Sequence, residues 1–241
     1  MDDLKMKNII LFLVVIGLFS SCTKDANFTV TGTVKGLKKG TIYLQQVKDT
    51  SLVNLDSLVV DGDPDFEFYA KLKEPEVLYL YLDKVDASGY DDRILFFAEP
   101  GEMNIITSLR NFESFAAVTG SQNEVKLKEF LKMNSKFNDK NLELIQGAFS
   151  AQKDGDQDLI LEYDDSLNNL LKTKYRYTGN FAATNKEFEV APYLLLTQIP
   201  DASISYLDTI YERFPKKIKS SKYGREVKKL IMTRRDEEST N

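Results

Sequence analysis

The stretch Val118-Thr119-Gly120-Ser121-Gln122-Asn123-Glu124 divides the chain in two. Upstream of it, apolar residues recur at every second position; downstream they recur at helical spacing. Ser121-Gln122-Asn123-Glu124 has the form of a capping box, in which the serine side chain accepts from the helix start and the glutamate reaches back to the serine backbone. Val125, Leu127, Phe130, Leu131 and Met133 then follow at helical intervals. A sheet domain is therefore expected to end, and a helical one to begin, at this point.

Working back from the junction, Phe28-Thr29-Val30-Thr31-Gly32-Thr33-Val34 places threonines on one face and Phe28, Val30 and Val34 on the other. Gly36 and Gly40 bracket a turn, after which Thr41-Ile42-Tyr43-Leu44 predicts a second strand. Leu55–Val60 and Phe66–Ala70 flank Asp61-Gly62-Asp63-Pro64-Asp65 and read as a hairpin. Val77–Leu82 is almost wholly apolar and aromatic, as expected of a central strand buried on both faces. Arg93–Ala98, Met103–Thr107 and Ala116–Thr119 complete the set, with Pro100-Gly101 as a turn. Short strands rich in Val, Ile, Tyr and Phe predict an antiparallel β-sandwich or an open barrel over residues 28–120.

Working forward, helices are expected over Asn141–Gln152, Asp158–Tyr177, Glu187–Gln198, Ser203–Phe214 and Ser221–Met232. Lys153-Asp154-Gly155-Asp156 is a polar turn, Pro200 and Pro215 mark breaks, and Ser221 is a plausible N-cap. Residues 121–233 thus form a helical domain, and 234–241, with no apolar content, a frayed and disordered tail. Strands followed by helices define an α+β chain.

The N-terminus carries a different signal. Lys5 and Lys7 precede an apolar run from Ile9 to Phe19, then Ser20-Ser21-Cys22. The run is shorter than the roughly 20 residues of a membrane-spanning helix and has the three parts of a secretory signal. Its end resembles a bacterial lipobox, with Phe19 where leucine is usual. Met1-Asp2-Asp3 is acidic for a signal, and Met6-Lys7-Asn8 makes a more conventional start. Residues 1–21 therefore read as a lipoprotein signal peptide, Cys22 as the site of lipidation, and residues 22–27 as a tether. A membrane partner through this lipid anchor follows, at the outer membrane of the cell envelope.

Composition narrows the chemistry. The chain has no histidine and one cysteine, so imidazole-based triads, His-ligated zinc and CxxC redox pairs have no residues to form from. The net charge of −5 argues against nucleic acid as a partner. The basic runs Lys216-Lys217-Ile218-Lys219, Lys228-Lys229 and Arg234-Arg235 read as solvated helix faces. Asp61, Asp63 and Asp65 are spaced like the first ligands of a calcium loop, as are Asp154, Asp156 and Asp158 with Glu162 and Asp165 beyond. Phe66 and Leu159 stand where such loops require glycine, so turn and cap chemistry is the expected role of both, and no metal is expected. Glu99 reads as a turn residue rather than a general acid. Tyr79, Tyr81, Phe96 and Phe97 read as core or cross-strand residues rather than a stacking platform. No catalytic residue and no cofactor site is identified.

Several of these segments together resemble an N-terminal β domain of unknown function found in Gram-negative lipoproteins. There it often precedes a thioredoxin-like thiol–disulfide oxidoreductase domain. Thr31-Gly32-Thr33-Val34 with Lys39-Gly40-Thr41-Ile42-Tyr43-Leu44 resembles its opening hairpin. Val60-Asp61-Gly62, Phe66-Glu67-Phe68 and Pro75 follow in its order. Leu95-Phe96-Phe97-Ala98-Glu99-Pro100-Gly101-Glu102-Met103-Asn104-Ile105 resembles its strand, Glu-Pro-Gly, strand signature, and Val118–Glu124 its junction into helices. The resemblance extends to Met232 and includes Phe214-Pro215. The sequence stops at Asn241, where the thioredoxin-like domain would begin, so the family's redox activity carries over to no residue here. The resemblance implies location, architecture and a link to envelope thiol chemistry. The expected function is a non-enzymatic envelope lipoprotein, a binding or accessory module with a protein partner. The alternative is a carboxylate-dependent hydrolase of an envelope or extracellular glycan, for which no pair among the 37 Asp and Glu stands out.

Overall fold

The alternation in the first half becomes eight strands in the computed structural model, which describes residues 26–49, 51–84 and 92–240. They are β1 (Phe28–Lys35), β2 (Lys39–Lys48), β3 (Ser51–Asp61), β4 (Asp65–Ala70), β5 (Glu76–Lys84), β6 (Asp92–Ala98), β7 (Gly101–Ser108) and β8 (Ala117–Thr119). Two four-stranded sheets result, ordered β4-β1-β7-β8 and β3-β2-β5-β6. Inward residues of β1 (Phe28, Val30, Val34) meet those of β2 (Ile42, Leu44), β5 (Leu78, Leu80, Leu82) and β7 (Met103, Ile105) in one core. The expected α+β architecture, with strands first and helices after, is the one observed.

The connections differ from the expected hairpins. β1 and β2 lie in different sheets, and so do β3 and β4, so neither pair is a hairpin. β1 instead pairs antiparallel with β4 and parallel with β7, the one parallel pairing in an otherwise antiparallel fold of the described residues. Gly32 helps to place β4. A Cβ there would stand 2.0 Å from the Ile105 carbonyl oxygen and 2.5 Å from the Phe66 ring. Its absence lets Phe66 lie over β1, stacked on Phe68 at 5.4 Å. β5 is flanked by β2 and β6 and buried on both faces over most of its length, as its apolar sequence predicted.

The second half contains α1 (Gln122–Asp154), α2 (Gln157–Thr184), α3 (Val190–Gln198), α4 (Ile204–Glu212), α5 (Lys216–Lys219) and α6 (Lys222–Thr240). Several boundaries change: α2 runs to Thr184 rather than Tyr177, and α3 starts at Val190 rather than Glu187. The further helix expected over Asn141–Gln152 is continuous with the one that starts after Ser121, and α1 runs unbroken for 33 residues, about 50 Å at 1.5 Å per residue. The residues read as a disordered tail continue α6 to Thr240. Arg234 holds that end by donating to the carbonyls of Pro200 and Ala202 at 2.8 and 2.6 Å, while Arg235 pairs with Asp208 at 2.8 Å.

The helices form a third layer. Val77 of β5 and Phe97 of β6, on the outer face of their sheet, pack with Leu127, Phe130, Phe181, Val190, Leu194 and Tyr223. α3 is buried on nearly all sides, which explains why its sequence Val-Ala-Pro-Tyr-Leu-Leu-Leu shows no polar face. Pro192 sits in its first turn, where a missing N–H is tolerated. α1 and α2 reach further as an antiparallel pair. Gly155, in the left-handed region at φ 73°, ends α1, and the Asp156 carboxylate caps α2 by accepting from Leu159 N–H at 3.0 Å. Gly147 lets the two helices approach, since a Cβ there would stand 2.3 Å from the Tyr163 ring. The first fully buried residue of α2 is Thr178. The far half of the pair is thus a bare two-helix arm.

Candidate functional site

Ser121 begins α1 as expected: its hydroxyl accepts from Glu124 N–H at 2.9 Å. The glutamate does not complete the box. Its carboxylate turns to the open edge of β6 and accepts from Phe97 N–H at 2.8 Å. The sheet edge and the helix start therefore satisfy one another, covering an edge that would otherwise present unpaired groups. Lys128 stands 3.5 Å from the other carboxylate oxygen. Burial pushes the Glu124 carboxyl above its ordinary 4.5, while Phe97 N–H and Lys128 pull it back down.

Glu99 completes the seam. One of its oxygens accepts from the Ser121 hydroxyl at 2.8 Å, from Asn123 N–H at 2.6 Å and from the Asn123 side-chain amide at 2.9 Å. An anion at the start of a long helix complements the free N–H groups and the dipole there. Asn123 also donates to Glu189 at 3.0 Å and accepts from Val190 N–H at 2.7 Å, so it joins α1 to the start of α3. Lys217 pairs with Glu189 at 3.3 Å. Buried polar groups cost stability unless satisfied, and these satisfy each other across four elements.

Two clefts flank the seam. The larger, about 570 Å³, lies where the end of β2 and the start of β5 meet α6. Gln46 and Lys222 both donate to Glu76 there, at 2.7 and 2.6 Å, and Arg225 pairs with Glu74 at 2.8 Å. The buried Tyr223 hydroxyl accepts from Val77 N–H at 2.8 Å, tying α6 to β5, and burial drives its phenol well above 10. The smaller cleft, about 340 Å³, lies between β6, β8 and α1, with Ile94, Leu95, Leu127, Glu124 and Tyr193 in its walls. Burial, then the neighbouring Tyr79 and Glu124, pushes the Tyr193 phenol up to about 12.

The residues singled out in the sequence fall into place around this seam. Cys22 and the rest of the signal and tether segments through residue 25 lie outside the described residues. Asp63 accepts from Asp65 N–H at 3.1 Å and Asp65 from the Thr33 hydroxyl at 2.6 Å, which is turn chemistry. Asp156 is a helix cap. Among the described residues no group of three or more Asp, Glu, His or Cys could hold a metal ion. Phe96 is in the sandwich core, and Phe97 meets Tyr193 and Tyr223 edge-on, both at 5.7 Å. Tyr81 stacks on Tyr43 at 5.9 Å, with the Arg93 guanidinium 5.0 Å from its ring centre. Glu99 is a helix anchor as well as a turn residue. Asn123, Glu189, Glu76 and Tyr223 escaped the sequence reading as site residues; Ser121 and Glu124 were flagged through the capping box, and Glu99 as a turn residue.

The fold and seam define an α+β protein in which a β-sandwich is locked to a helical bundle through the start of its first long helix. Residues 28–127 match a family described as a domain of unknown function (DUF4369). The match runs through the sandwich and the first turns of α1, and so includes Glu99, Asn123 and Glu124. No curated protein matches the chain, and no solved structure does. Among the described residues no helix is long and apolar enough to cross a membrane.

Proposed function

We propose that the protein is a non-enzymatic accessory module of the cell envelope, lipid-anchored at Cys22 at the outer membrane and acting with another envelope protein. The observation that carries this reading is the α1–α2 arm, which projects beyond the packed core with Leu142, Ile145 and Phe149 exposed. Apolar residues grouped on a surface mark interaction sites. The carboxylates Glu99, Glu124 and Glu189 are engaged in joining the two halves. The address comes from Ser20-Ser21-Cys22, since two or more acyl chains hold a protein firmly on a bilayer where one does not. A thioredoxin-like oxidoreductase is the partner that the sequence resemblance implies. The test places a photo-crosslinking residue at Phe149 of the full chain in its native envelope. A crosslink to one envelope protein, with fatty-acid labelling that Cys22→Ala abolishes, is the expected result. No crosslink, or an unlabelled wild-type protein free of the membrane, would overturn the reading.

A further inference from the structure

Three main-chain N–H groups that point off the ladders of the β3-β2-β5-β6 sheet are met by side chains. Ser57 N–H donates to Asp56, Val77 N–H to the Tyr223 hydroxyl and Phe97 N–H to Glu124, each at 2.8 Å. A fourth is left over. Successive residues of an antiparallel strand turn their main-chain groups to opposite sides, so residues two apart face the same way. β6 pairs with β5 alone, in one register from Asp92 to Ala98. Since Phe97 N–H faces the open edge of β6, the N–H and carbonyl of Leu95 face it as well. Among the described residues neither has a partner.

That edge opens on the smaller cleft, of about 340 Å³, which Leu95 and Ile94 share with Val118 of β8 and with Leu127 and Leu131 of α1. The cleft's buried acid is already engaged, because Glu124 accepts from Phe97 N–H and stands 3.5 Å from Lys128. Lys128 also donates to the Ala116 carbonyl at 3.1 Å. Apolar walls disfavour a charged occupant, while a free N–H beside a free carbonyl complements the main chain of an extended segment. We propose that this cleft binds an extended peptide segment of another protein, which adds to the edge of β6 by exchanging main-chain hydrogen bonds with Leu95. The Leu95 side chain packs on the helical layer. The side chain paired with it across the new ladder points the same way, so an apolar one there meets Leu127 and Leu131. A second copy's open strand, β3, fits less well, since it carries Asp56 at its middle and would bring that carboxylate into an apolar cleft.

The test uses the full chain carrying Cys22→Ala and a capped seven-residue peptide with valine at its centre, threonine elsewhere and one terminal tryptophan. The chain has no tryptophan, so the peptide's fluorescence reports binding without background. The expected result is saturable binding that slows hydrogen exchange at the Leu95 amide. The same peptide N-methylated at its valine cannot donate to the Leu95 carbonyl and should bind about tenfold more weakly or worse. Leu131→Asp charges the cleft wall and should weaken binding to a similar degree. Leu131 is 42% exposed, and unchanged circular dichroism certifies the variant. No binding, equal binding of the N-methylated peptide, or binding that leaves Leu95 exchange and Leu131→Asp unaffected would overturn the proposal. So would dimerisation in sedimentation equilibrium that slows Leu95 exchange without peptide, since the occupant would then be a second copy. The site lies apart from the arm, so the Phe149 crosslink and the Leu95 exchange can fail independently of each other.

Discussion

Replacing Tyr223 with phenylalanine removes one oxygen and tests how the two halves are joined. The ring would stay where it is, 5.7 Å from Phe97 and 5.1 Å from Tyr193, so packing is nearly unchanged. What is lost is the acceptor for Val77 N–H, at 2.8 Å and shielded from solvent. An orphaned buried N–H costs about 1–3 kcal/mol. For a folded chain of this size, each kcal/mol moves the melting temperature by about 2–4 °C, so Tyr223→Phe should melt roughly 2–12 °C lower. Tyr223→Ala, which also opens a cavity, should cost about 3–5 kcal/mol. The pH dependence gives a second check. The folded phenol lies above the unfolded 10, so its contribution is complete below pH 10 and is lost as pH rises beyond it. The phenylalanine variant should lose only the Tyr223 share of that alkaline decline and keep the part due to Tyr193 and Tyr175. Calorimetric melts at several pH values, with amide exchange at Val77, measure both effects. A variant that melts with wild type and protects Val77 equally would refute this account of the seam.

Glu124→Gln keeps an acceptor for Phe97 N–H but removes a buried charge. The folded carboxyl lies above its ordinary 4.5, so its stabilising effect is present below that pH and declines as pH rises through the folded value. Urea titrations should show the glutamine variant at least as stable as wild type at pH 7 and flatter in stability over the weakly acidic range; a flat wild-type profile would contradict this. Gly32→Ala puts a methyl against the Ile105 carbonyl oxygen and the Phe66 ring, and should destabilise by about 1–3 kcal/mol or more. Denaturation midpoints measure it, and a neutral outcome would mean that β1 and β7 are less closely apposed than described.

The strands, the junction at Ser121 and the turn at Gly155 were legible because their causes are local. Alternation, a serine ahead of a helical period, and a glycine between polar residues each act over a few positions. Sheet membership was not legible. Asp61-Gly62-Asp63-Pro64-Asp65 has hairpin chemistry, but alternation does not say whether Phe66 turns back on β3 or crosses to β1. Gly32, which makes room for that crossing, lies more than thirty residues away. Residues 134–140, mostly polar, lay between two expected stretches of helix, yet a helix in an arm needs apolar contact on only one side. The seam was the least legible part. Asn123 and Glu189 look like ordinary surface residues until the fold brings them within 3.0 Å of each other. Glu124 was named for its spacing to Ser121, but its partner Phe97 sits on a strand.

β1 also determines how the molecule responds to force. It lies inside its sheet, held by six register pairs with β4 on one side and eight with β7 on the other. Ladder hydrogen bonds run across the strands or at a slant to them. A pull on the chain ahead of Phe28, directed along β1, therefore loads both ladders in shear, and the strand must slide past its two neighbours at once rather than peel away bond by bond. Val30 and Val34 would have to leave the core in the same movement. A protein held by its front end while its arm is gripped elsewhere would thus take the strain on one of its most interlocked strands.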